Sequence, residues 1–199
     1  MKESKQILSE RLKRDIKETL SPKRYLHVLG VAKAAAELAE KENISRQKAE
    51  LAGLLHDAAK ELSLKEMRNW ASAVFLEIPE EIWNSRNLLH GFAAAGIGRI
   101  RYHIDDAEIL SAVAYHTVGK RNMTVLEKII FLADYIEENR DFPGVEAIRQ
   151  KAQLGLNEGT LYGFDQTIRH LLDQGVSIYS GTITARNSLA KEMKEECKR

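Results

Sequence analysis

Leu51-Ala52-Gly53-Leu54-Leu55-His56-Asp57-Ala58-Ala59-Lys60 is an apolar run that ends in an adjacent imidazole and carboxylate. Neighbouring side chains on a helix point about 100° apart, so one regular helix rarely aims both at a single ion. At a helix end the turn relaxes and two adjacent residues converge. A carboxylate beside an apolar run is costly to bury unless something pairs with it. A metal ion is one such partner, and a His plus an Asp suits borderline or hard divalent cations. Taken alone, the dipeptide reads more readily as a helix C-terminus carrying a histidine near the negative end of its dipole.

Outward from this stretch the chain reads as helices punctuated by caps. On the N-terminal side, Ile7, Leu8, Leu12, Ile16 and Leu20 form one amphipathic face. Ser21-Pro22 reads as an N-cap followed by proline at the first helical position. The helix it opens is expected to reach about residue 41, and Ser45 caps the next. On the C-terminal side, Ser63 with Glu66 and Thr124 with Glu127 have capping-box spacing. Pro79 starts a short helix. An alanine-rich helix is expected over 92–102, another from a cap at Asp105 or Asp106 to His116, and further helices over 145–154, 161–173 and 185–198. Val176-Ser177-Ile178-Tyr179 comes nearest to a strand and is too short to count. The expected fold is all-α, one domain over 1–199 with about eight to ten helices, a core near 21–140 and a helical extension over 141–199.

Bulk properties narrow the function classes. The 199 residues are 44% hydrophobic and 30% charged, enough for one substantial core. A net charge of +1 gives no overall basic field for nucleic acid. Cys197 is the sole cysteine, which excludes an internal disulfide and a thiolate cluster and fits a reducing compartment. Met1-Lys2-Glu3-Ser4-Lys5 lacks a hydrophobic signal region, and the uncharged runs at 87–98 and 174–185 are too short for a bilayer. The expectation is a soluble cytoplasmic protein with no nucleic-acid or membrane partner. The first helix, Trp70 and Trp83 serve either the core or a homodimer interface.

The chemistry-bearing residues recur in order: His27, His56-Asp57, His90, His116 and Asp134. His27 shares a helix face with Arg24, Val31 and Ala35. His90 is placed at a helix start, where backbone N–H groups favour anions. His116 ends a helix before Thr117-Val118-Gly119. Asp134 follows Ile130 and Phe131 on an apolar stripe and so needs a cation or a network of donors. His103 and His170 read as surface residues.

This ordered set resembles the HD-domain metal-dependent phosphohydrolases. Leu55-His56-Asp57-x-x-Lys60, His90-Gly91, His116-Thr117-x-Gly119, Ala133-Asp134-Tyr135-Ile136-Glu137 and Thr184-Ala185-Arg186-Asn187 resemble the YqeK-type branch, the symmetrical bis(5'-nucleosyl)-tetraphosphatases. The resemblance runs from about residue 24 to 187. It implies symmetrical cleavage of diadenosine tetraphosphate to two ADP, with related dinucleoside polyphosphates as further substrates. It implies a divalent metal on His27, His56, Asp57 and Asp134, iron first, with manganese, magnesium or zinc as alternatives. The remaining open coordination positions would take water and phosphate oxygen.

Asp57, Lys60 and His116 are then the expected catalytic residues, His116 as proton donor to the leaving group. Arg24, Lys60, His90, His116, Thr117, Arg140 and Arg186 are the expected substrate contacts, beside His27, Asp57 and Asp134. His90 and His116 also stand where two-metal HD proteins carry extra ligands, so a second ion on Asp57, His90 and His116 is an alternative. The competing functions are a mononucleotide or deoxynucleotide hydrolase, a two-iron oxygenase, a non-catalytic nucleotide-binding module and a helical adaptor.

Overall fold

The computed structural model describes residues 5–196 and residue 198; Met1 to Ser4, Cys197 and Arg199 lie outside the described residues. Eleven helices and no strand occur among them: α1 Lys5–Thr19, α2 Pro22–Lys41, α3 Arg46–Leu55, α4 Leu64–Ser72, α5 Glu80–Trp83, α6 Arg86–Arg101, α7 Ala107–Tyr115, α8 Val125–Ile136, α9 Val145–Leu154, α10 Leu156–Asp173 and α11 Ser180–Glu196. No helix of the described residues is long and apolar enough to cross a membrane.

Local chemistry sets most of the helix starts. Ser21 accepts a bond from the Arg24 amide with Pro22 at the first position, and Ser45 caps α3 through the Lys48 amide. Both expected capping boxes form, Ser63 with Glu66 and Thr124 with Glu127. Of the two aspartates before α7, Asp106 is the cap, accepting from the Glu108 and Ile109 amides.

Helix α2 packs along α3 and α8, α7 bridges α3, α6 and α8, and α4 lies on α6. The apolar stripe of α1 is spent on this core: Leu8, Leu12, Ile16 and Leu20 are all buried, and α1 packs on α3. Trp70 and Trp83 are half-buried against the same core. On the far side of α8, α9 and α10 pack onto it and α11 packs onto α10. A small second cluster of Met123, Phe131, Phe164, Ala185 and Leu189 joins this layer to the core.

Three helices begin earlier than their sequence suggests. Helix α6 starts at Arg86, so His90 lies inside it and is fully buried instead of opening it. Gly91 is a packing residue. A methyl there would sit 2.7 Å from the Ala114 carbonyl oxygen and 2.8 Å from that of Val113, so its absence lets α6 touch the backbone of α7. Helices α10 and α11 begin at Leu156 and Ser180, because buried Leu156, Thr160 and Thr182 outweigh the poor helix propensity of the glycines and β-branched residues nearby. Gly91→Ala pits a methyl against carbonyls that cannot move. It should lower stability by about 1–3 kcal/mol, read as a reduced urea midpoint with an unchanged m-value.

Candidate metal centre and active site

The ends of α3 and α7 and the inner faces of α2, α6 and α8 deliver their polar residues to one point. His56 is the C-cap of α3, and Asp57 follows it in the turn, so the relaxed geometry lets both face inward. His116 is the C-cap of α7. His27, His56, Asp57, His90 and His116 are all buried, with Asp57 2% exposed and His56 and His90 0%. The rings form a chain of edge-to-face contacts, with centroids 5.4 Å apart for His27–His56, 5.0 Å for His56–His116 and 4.9 Å for His90–His116.

Three of these rings have one nitrogen already committed. His56 Nδ1 donates to the Gly53 carbonyl at 2.6 Å, His116 Nδ1 to the Val113 carbonyl at 2.7 Å, and His27 Nδ1 to Glu137 Oε1 at 3.1 Å. Each therefore presents the Nε2 lone pair to the centre. His27 Nε2 stands 3.0 Å from Asp134 Oδ1 and 3.8 Å from Asp57 Oδ2. His56 Nε2 is 3.7 Å from Asp57 Oδ2 and 4.0 Å from Asp134 Oδ1. His27 Nε2, His56 Nε2 and Asp57 Oδ1 are buried with no partner of hydrogen-bond geometry. Buried polar atoms are rarely left so. His27, His56 and Asp134 form one group able to hold an ion, and His56, Asp57 and His116 an overlapping one. The donor set fits a divalent metal.

Cations ring the carboxylates. Arg24 Nη1 donates to Asp57 Oδ2 at 2.7 Å. Arg140 bonds the Asp134 carboxylate and, through Nε at 2.6 Å, the Asp134 carbonyl. Lys60 Nζ lies 3.2 Å from His90 Nε2. That nitrogen also stands 3.1 Å from Asp57 Oδ1, 3.1 Å from His116 Nε2 and 3.4 Å from Thr117 Oγ1.

Burial alone would raise the Asp57 carboxyl, but His56, His90 and Lys60 outweigh it and hold it well below the usual carboxylate range. Desolvation would raise the half-buried Asp134 too, but His27, Arg140 and His56 hold it well below that range. Burial lowers His56, and Lys60 is lowered by burial together with Arg24 and Arg140. Burial and the rings of His90 and His56 push His116 down to about 3.

Ten of the eleven residues singled out in the sequence thus meet at one place. Arg186 does not join them: its guanidinium binds Asp165 at 2.8 Å, tying α11 to α10. His116 has its Nδ1 engaged by the Val113 carbonyl and its Nε2 3.1 Å from both His90 Nε2 and Thr117 Oγ1. His90 acts through its buried side chain, away from the helix N-terminus. Glu137 joins the site without being marked by any motif; its one signal in the sequence is its place three residues after Asp134, at the end of the same apolar helix. His103 and His170 are exposed, as expected.

Comparison with known proteins follows the same outline. The HD domain family pattern matches residues 24–139, from Arg24, one turn before His27, to just past Asp134. The chain belongs to the HD domain family. A relative from Halalkalibacterium halodurans, named bis(5'-nucleosyl)-tetraphosphatase, symmetrical, is 40% identical over 90% of this chain and 95% of its own length. One of the same name from Staphylococcus aureus is 39% identical over 89% of this chain and 92% of its own. A crystal structure from Clostridium acetobutylicum, described as a predicted HD superfamily hydrolase involved in NAD metabolism, superposes with a TM-score of 0.87 at 38% identity, covering 92% of this chain and 97% of its own.

The depressed His116 pKa has a sign. A histidine that binds its proton less readily when folded contributes full stability above the unfolded value of 6.5 and loses it as pH falls toward 3. Metal-stripped protein should lose roughly 2 kcal/mol of stability through this residue between pH 7 and pH 5. Urea melts at the two pH values should show a smaller difference for His116→Gln than for the wild type.

Proposed function

We propose that this chain hydrolyses diadenosine tetraphosphate, and related dinucleoside polyphosphates, symmetrically to two nucleoside diphosphates. The reading gives it one divalent ion, iron, on His27, His56, Asp57 and Asp134. One observation carries it: unpartnered buried nitrogen and oxygen atoms converge inside a chain 40% identical, over nine-tenths of its length, to a relative named for that reaction. Two imidazoles and two carboxylates are borderline-to-hard donors that suit iron or manganese. A single ion is favoured because the Lys60 ammonium, 3.2 Å from His90 Nε2, would repel a second one near His90 and His116. When bound, such an ion acts as a Lewis acid that acidifies water and neutralises charge on phosphate oxygens.

The protein's own groups supply orientation and charge. Arg24 and Arg140 hold the two carboxylates in place and keep positive charge beside them. With Lys60, they face the site that the tetraphosphate would enter and would bind its non-bridging oxygens. His90 and Thr117 lie next to Lys60 and would contact the same phosphates. Hydrolysis at the phosphorus second from one nucleoside forms a bond from water oxygen to that phosphorus. It breaks the bond to the central bridging oxygen, whose electron pair leaves with the other nucleoside diphosphate. His116 Nε2, which stands 3.1 Å from His90 Nε2 and from Thr117 Oγ1, is the nitrogen proposed to take up the water proton. The leaving diphosphate is stabilised by cations and needs no acid.

The division of labour within residues 1–199 follows: the helices over 21–140 carry the site, and the extension over 141–199 supports it. Phe164 and Ala185 of that extension lie directly beneath Gly119, in the loop that follows Thr117.

Nucleotide separation after incubation with diadenosine tetraphosphate and iron or manganese should give ADP as the sole product, lost on chelation and in Asp57→Ala. AMP with ATP, or no turnover with any metal, overturns the reading. Lys60→Ala should lower kcat by about 100-fold or more. Arg186→Ala, which breaks only the tie to Asp165, should stay within about threefold of wild type.

A further inference from the structure

The side chain that approaches His27 from behind is Glu137, a carboxylate 2% exposed at the C-cap of α8. Both its oxygens are engaged. Oε1 meets His27 Nδ1 at 3.1 Å, and Oε2 accepts from the Asn139 amide at 2.7 Å and from Asn139 Nδ2 at 2.9 Å. A buried carboxylate accepts at every position. A glutamine in its place would turn its NH2 toward either the ring N–H or the Asn139 donors. Only the carboxylate satisfies both sides.

Space for this group is made on α2. Gly30 lies one turn after His27, and a methyl on it would sit 2.1 Å from Glu137 Oε2 and 2.9 Å from Glu137 Cδ. The absence of a side chain at position 30 is what lets the carboxylate reach the ring. Glu137 then holds Nδ1 of the imidazole, while Asp134, one turn earlier on the same helix, stands 3.0 Å from its Nε2.

We infer that Glu137 is a positioning residue for the metal centre: it fixes the orientation and tautomer of His27, and Gly30 is its required partner. The opposite tautomer would aim a proton at the centre where a lone pair is needed. The inference rests on the proposal that His27 is a metal ligand, and the test separates the two.

Manganese(II) is titrated into metal-stripped protein, with free ion read by electron paramagnetic resonance and the melting temperature of each metal-free variant recorded alongside. Glu137→Gln and Gly30→Ala should each weaken manganese binding by about tenfold or more. Glu138→Gln, the exposed neighbour that pairs with Lys33, should stay within twofold of wild type. Gly30→Ala retains the Glu137 charge and favours the helix intrinsically, so it carries the test by itself if Glu137→Gln melts below the assay temperature. Wild-type affinity in both variants, with binding lost in His27→Ala, overturns the inference and leaves His27 as a ligand that needs no support. Wild-type affinity in His27→Ala removes His27 from the metal and overturns the proposed ligand set along with it.

Discussion

The buried carboxylate of Asp57 is the constraint around which the other helices are arranged. An unpaired ion at 2% exposure would cost several kcal/mol. Here Arg24 contacts one of its oxygens and His90 stands at 3.1 Å from the other, with Lys60 one turn further on. Satisfying it requires α2, α3 and α6 to approach closely, and the sequence permits this through small residues: Ala32 and Ala35 on α2, Ala52 and Gly53 on α3, Ala93 to Gly96 on α6. The alanine-rich character of the core follows from the polar centre it encloses.

Much of this was legible because local chemistry and long-range demand agree. Ser21-Pro22, Ser63 with Glu66 and Thr124 with Glu127 mark helix starts that the tertiary structure keeps. The ordered histidines and aspartates fall at helix ends or on apolar stripes, where an ionisable group is out of place without a partner. What escaped depends on contacts between distant residues. The role of Gly91 appears only once α7 is known to lie against it. The tie of Arg186 to Asp165 joins two helices that the sequence does not place side by side. The burial of His116 follows from the packing of α7 against α6 and α8. Glu137 meets His27 across 110 positions of sequence, a pairing that no local pattern announces.

The C-terminal helices show how a motif matters without touching chemistry. Ala185 and Phe164 fill the space under Gly119, whose φ of +64° turns the chain after Thr117. Lys120 reaches back to Glu127 and Ser111, fastening the other end of the same loop to α7 and α8. The loop beside His116 is therefore held from both sides, and the Thr184-Ala185-Arg186-Asn187 segment contributes through packing and the Arg186–Asp165 tie.

The imidazoles differ in how far away their orienting group lies, and this imposes an order of assembly. His56 and His116 are each held by the carbonyl three residues earlier in their own helix, so their rings are set once α3 and α7 form. His27 waits for a residue 110 positions later. Closing so long a loop is slow compared with forming a helix end. The polar cluster is complete only when α2 and α8 are docked, so the centre and the fold that shields it form together.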